Sequence, residues 1–133
     1  MTRRLRTALI GGAAAVACLP AIPAAGAAPR QVPRPPSRML VYAQEWSLWP
    51  SRSAVPAGKV TVQLWNRGMD AHDLRIRRVD RTGAMIGRTE GVAVTASGQL
   101  HQSTWRLGAG TYELYCSMPG HAARGMHARI RVT

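Results

Sequence analysis

Three side chains able to bind a soft or borderline metal fall in one short stretch near the end of the chain. They are Cys116, His121 and Met126, spaced Cys-x4-His-x4-Met. A thiolate, an imidazole and a thioether form a donor set that suits copper, with the thioether as the long, weak axial ligand. That geometry takes a second imidazole, and His72 offers one in the upstream stretch Asn66-Arg67-Gly68-Met69-Asp70-Ala71-His72-Asp73. Zinc competes on ligand type, but its usual donors are Cys, His and carboxylate, and Met serves it poorly. Four protein ligands leave no open position and no acid–base pair lies nearby, so the pattern argues against an enzyme. A dinuclear copper site would need a second Cys in the loop, and Ser117 to Gly120 contains none.

The flanking residues must hold such a loop still. Before it, Tyr112, Leu114 and Cys116 share strand parity, so the thiol points the same way as two core residues. After it, Met126, Ala128, Ile130 and Val132 take one face while His127, Arg129 and Arg131 take the other. Pro119-Gly120 is a turn signal between Cys116 and His121. Upstream, Met39 to Trp46 reads as a strand, and Val60, Val62 and Leu64 alternate with Thr61, Gln63 and Trp65. Leu74 and Ile76 alternate with Arg75 and Arg77, Gly91 to Val94 is a short strand, and Gln99 to Leu107 is another. About seven strands separated by turn signals, with no amphipathic helix, predict an all-β, Greek-key β-sandwich.

These residues resemble the cupredoxins, the small blue copper proteins. The likeness rests on His72 after an Asn-x-Gly stretch and on Tyr112-x-Leu114-Tyr115-Cys116 through Met126, and it spans residues 39–133. The loop spacing is similar to that of auracyanin and rusticyanin. The resemblance implies a mononuclear type 1 site, one copper per chain cycling between Cu(I) and Cu(II), with His72, Cys116, His121 and Met126 as ligands. It implies a one-electron carrier; storage or delivery of copper is the alternative, and a metal-free binding sandwich a third. The C-terminal His121 would lie near the surface as an electron port, rimmed by Met118, Pro119, Ala122 and Ala123. Many cupredoxins have Asn directly after the first His. Here Asp73 stands there, which bears on the side-chain tie between the two ligand loops and leaves its backbone N–H able to serve. The Met118 N–H is a second expected donor to the sulfur, since Pro is deferred to position 119.

The remaining composition sets the context. The chain of 133 residues is long enough for one domain. Its 17 arginines, one lysine and six acidic residues give a net charge of +12. Residues 1–27 read as an export signal: Arg3, Arg4 and Arg6, an apolar run of 12 residues from Ala8 to Leu19, then Ala25-Gly26-Ala27 as a small-x-small cleavage site. Removing that leader leaves 15 basic and 6 acidic residues, or +9. The run is shorter than the roughly 20 residues of a membrane span. Membrane attachment therefore requires lipidation of Cys18, in the weak lipobox Ala15-Val16-Ala17-Cys18. Residues 28–38, rich in Pro and Arg, read as a linker. Cys116 then has no partner in an exported protein, which favours a metal-ligand role. The protein is expected as a monomer whose redox partners are acidic at the docking surface. No aromatic-basic motif accompanies the arginines from Arg75 to Arg81, so they read as a solvated face and no nucleic acid is expected. The four tryptophans, Trp46, Trp49, Trp65 and Trp105, read as core and rim packing, His101 as a hydrogen-bonded structural residue, and His127 as surface.

Overall fold

A computed structural model describes residues 35–133. The expected leader, its Cys18 and most of the linker lie outside the described residues. Nine strands follow in order: β1 Ser37–Gln44, β2 Ser47–Pro50, β3 Ala54–Val55, β4 Gly58–Asn66, β5 His72–Val79, β6 Met85–Thr95, β7 Leu100–Leu107, β8 Gly110–Tyr115 and β9 His127–Val132. They form a four-stranded sheet in the order β2-β1-β4-β7 and a five-stranded sheet in the order β3-β9-β8-β5-β6. β1 and β4 run parallel, as do β3 and β9, while the other pairs are antiparallel. The all-β sandwich expected from the turn signals is therefore present, with more strands than counted. β1 starts at Ser37, two positions before the strand expected from Met39, because Ser37 and Arg38 already pair with Val60 and Thr61. β6 is much longer than the Gly91–Val94 segment, since Met85, Ile86, Thr89 and Glu90 also pair with β5, around an irregularity at Gly87 and Arg88. Exposed residues on both faces hide that extension from a hydrophobic reading.

The core lies between the sheets and follows strand parity. Met39, Val41 and Ala43 of β1 and Val60, Val62 and Leu64 of β4 meet Leu74 and Ile76 of β5, Leu114 of β8, and Ile130 and Val132 of β9. Burial of such side chains stabilises by about 1.5–3 kcal/mol each, so this alternation is the main force that fixes the register. Trp105 joins the core as expected, but Trp49 is 64% exposed and stands outside it. Trp65 stacks at a tilt on Tyr42, ring centroids 5.6 Å apart, and the Arg67 guanidinium lies over both rings. Cys116 and Met126 are part of the same buried cluster, so the expected site grows directly out of one end of the core.

Candidate metal centre

β5 and β8 pair side by side, Arg75 opposite Tyr115 and Ile76 opposite Leu114. That seam sets the ends of two strands together: His72 opens β5, and Cys116 follows the last residue of β8. Tyr112, Leu114 and Cys116 are all buried, as their shared parity requires. The chain then turns through Pro119 and Gly120, where Gly120 takes φ of 81°. That left-handed backbone favours glycine. A single turn of 3-10 helix, Ala122–Arg124, follows and ends on Gly125 at φ of 109°. Sequence periodicity could not show so short a helix. The loop closes on itself: the Cys116 N–H donates to the Met126 carbonyl at 3.1 Å, and the Met126 N–H to the His121 carbonyl at 3.2 Å.

The result is a convergence of donor atoms. The Nδ1 atoms of His72 and His121 lie 3.2 Å apart, and the Cys116 sulfur is 3.5 Å from His121 Nδ1. One ligand atom from each of His72, Cys116 and His121 lies within 4.8 Å of the others. His72 and Cys116 are buried and His121 half-buried. Met126 is fully buried at the base of the loop. These donors fit copper by type: two imidazole nitrogens and a sulfur meet where His72 and Cys116 are shielded from solvent. His127 is exposed, as expected. His101 is also exposed, though its Nδ1 meets the Thr95 hydroxyl at 3.4 Å.

The backbone around the sulfur matters for its charge. Burial, helped by the Asp73 carboxylate, raises the Cys116 thiol above its ordinary value, and the Met118 and Asp73 N–H groups offset only part of this. Asp73 does more than its backbone alone. Its Oδ1 accepts the Ser117 N–H at 2.6 Å, and its Oδ2 accepts the Ser117 hydroxyl and the Arg75 Nε–H, the latter at 2.8 Å. The side-chain tie left open by the exchange of Asn for Asp is therefore made, by carboxylate oxygens instead of an amide. Burial pushes the Asp73 carboxyl up, but the Ser117 and Arg75 donors outweigh it and hold it below its usual range.

Two residues that the sequence did not connect with the site complete the surroundings, both in the turn between β1 and β2. Glu45 Oε1 lies 3.1 Å from His72 Nε2 and accepts the N–H groups of Met69 and Asp70 at 2.8 and 2.7 Å. The Asp70 N–H is the main reason that the Glu45 carboxyl lies below its ordinary value. Trp46 sets its ring edge-on to His121, centroids 4.8 Å apart, and Arg124 covers the indole at 4.3 Å. The one available signal was Glu45 itself, an acid beside an aromatic residue in a chain with six acids in all. The arginine face is less free than expected: Arg75 pairs with Asp73, and Arg77 pairs with Glu113 at 2.6 Å while lying over Tyr115.

No protein-family model matches the sequence, and no curated protein is similar to it by sequence comparison. Solved structures do resemble it. Reduced auracyanin from Roseiflexus castenholzii superposes with a TM-score of 0.58 at 20% identity, over 73% of this chain and 97% of that one. Auracyanin A, a "blue" copper protein from Chloroflexus aurantiacus, gives 0.59 at 16% identity, over 74% and 100%. Rusticyanin from Thiobacillus ferrooxidans gives 0.57 at 23% identity, over 72% and 76%. At these identities the likeness is one of architecture: the chain has the cupredoxin fold.

Proposed function

We propose that the chain is an exported type 1 copper protein that carries single electrons between redox partners. The observation that carries this reading is the meeting of two imidazole Nδ1 atoms and one thiol at a buried end of the sandwich. His72, Cys116 and His121 would hold the ion, with Met126 as the weak thioether donor. Copper, when bound, supplies a one-electron Cu(II)/Cu(I) couple. The protein supplies the rest. Cys116 would bind as thiolate, giving up its proton when the ion is taken up. The Met118 and Asp73 N–H groups would draw charge from the sulfur, and the Asp73–Ser117 bonds tie the two ligand segments together. A frame tied in this way changes little between oxidation states, which suits transfer with small rearrangement.

His121 is the half-buried member and gives the shortest route to the surface, through the rim of Met118, Pro119, Ala122 and Ala123. Arg124 and the excess of positive charge favour partners with an acidic docking face. Export rests on the reading of residues 1–27. The enclosure of the donors favours retention of the ion over its release, and so favours a carrier over a delivery protein.

The test is a visible spectrum of the protein loaded with copper. The expected result is an intense thiolate-to-Cu(II) band that reductant bleaches reversibly, absent in Cys116→Ser and retained with an altered potential in Met126→Gln. A Cys116→Ser protein that stayed intensely coloured, or a native protein that took up no copper, would overturn the reading.

A further inference from the structure

We propose that Glu45 is the positioning residue of His72, fixing its tautomer and setting a negative charge behind it that lowers the reduction potential. The inference rests on the copper reading above but concerns a residue outside the four ligands. His72 is fully buried, and its Nε2 faces Glu45 Oε1 at 3.1 Å while its Nδ1 faces the other donors. An ionised carboxylate only accepts hydrogen bonds, so the imidazole proton must sit on Nε2 and the Nδ1 lone pair must point into the site. A carboxylate behind a metal-bound imidazole orients the ring and raises its basicity, which favours the more highly charged ion.

The seat of this carboxylate is built from both sides. The Met69 and Asp70 N–H groups clamp the same oxygen that meets His72. Gly68 leaves the room, because a Cβ there would overlap the Glu45 carboxylate. Asn66 holds the surrounding loop: its Oδ1 accepts the Gly68 N–H at 2.9 Å, and its amide donates to the Asp70 and Thr95 carbonyls at 2.7 and 2.8 Å. The Ser97 hydroxyl donates to the Gly68 carbonyl at 2.6 Å. The Asn-x-Gly stretch before His72 thus holds Glu45 against the ligand, a role that its sequence alone did not suggest.

The experiment compares Glu45→Gln and Glu45→Ala with the native protein in two measurements. Glu45→Gln keeps an oxygen for the Met69 and Asp70 donors and removes the charge, with an amide NH2 in place of the second oxygen. Its potential, measured on copper-loaded protein with an intact spectrum, should rise by the order of a tenfold change in the Cu(II)/Cu(I) ratio, about 59 mV for one electron. In Glu45→Ala the His72 Nε2–H loses its acceptor. Nitrogen-resolved NMR of the copper-free protein, above the imidazole titration range, should then show exchange of that proton at least tenfold faster, or a mixture of tautomers. A potential that stays put or falls in Glu45→Gln would overturn the charge effect. Unchanged exchange and tautomer in Glu45→Ala would overturn the positioning role. The NMR measurement uses no copper, so it decides the role of Glu45 even if the copper reading fails.

Discussion

Replacing Asp73 tests the tie between the two halves of the site. In Asp73→Ala three donors lose a charged acceptor: the Ser117 N–H, the Ser117 hydroxyl and the Arg75 guanidinium. Hydrogen bonds to a charged group contribute about 1.5–3 kcal/mol each. The Arg75 bond counts for less than about 1 kcal/mol, because its side chain is 41% exposed and the pair is screened. Ser117 is exposed, so water replaces part of what it loses. The expected loss is about 2–4 kcal/mol of unfolding free energy. Asp73→Asn keeps an oxygen for the Ser117 N–H and sets an amide N–H against Arg75, with an expected loss of about 1–2 kcal/mol. The sign with pH follows from the depressed Asp73 carboxyl. Its contribution is present above the unfolded carboxyl value, about 3.9, and disappears as pH falls through the lower folded value. Denaturant unfolding of the copper-free protein at neutral and acid pH measures both effects. A loss under about 1 kcal/mol in Asp73→Ala would refute the claim that this carboxylate holds the segments together.

Other outcomes follow from the same structure. Met118→Pro removes one N–H from the sulfur, so electrochemistry should show a lower potential with the four ligands retained; an unchanged or raised potential would show that the Met118 N–H does not matter to the sulfur. The rate of electron transfer to an acidic partner should fall as ionic strength rises, through screening; stopped-flow rates independent of salt would remove the steering argument. At the far turn, Asp80 Oδ1 accepts the Thr82 hydroxyl and N–H and the Ala84 N–H, and the Thr82 hydroxyl contributes most to its lowered carboxyl value. Asp80→Ala should therefore destabilise above the unfolded carboxyl range and make no difference once pH falls below the folded value, as thermal melts at several pH values would show.

How much of this was legible in the sequence depended on how local the signal was. The strand parity around Cys116 and Met126 is a nearest-neighbour pattern, and the buried face it implies is the one found. His72 was reachable because copper chemistry demands a second imidazole, while His101 shares parity with Trp105 and Leu107 and His127 points to the face opposite Met126. Glu45 and Trp46 were not reachable. They sit in a two-residue turn whose position depends on β1 running parallel to β4, a pairing between segments that no local pattern connects. The same limit hid the Asp73–Ser117 tie, since 44 residues separate its partners. Trp49, read with the other tryptophans as core and rim packing, stands on the short strand β2 with its face to water, because residue type alone does not tell core from rim.

The seam between β5 and β8 also makes Cys116 a clock. The thiol is fully buried, and it is the free cysteine among the described residues. A thiol reagent can reach it only when the loop lifts or the seam opens. In the metal-free protein, modification at low reagent concentration therefore counts openings of this end of the sandwich. Slow labelling that tracks global unfolding would mean that the end opens only with the whole. Faster labelling would mark the loop from Ser117 to Gly125 as a separately opening unit, through which an ion could enter a protein that is already folded.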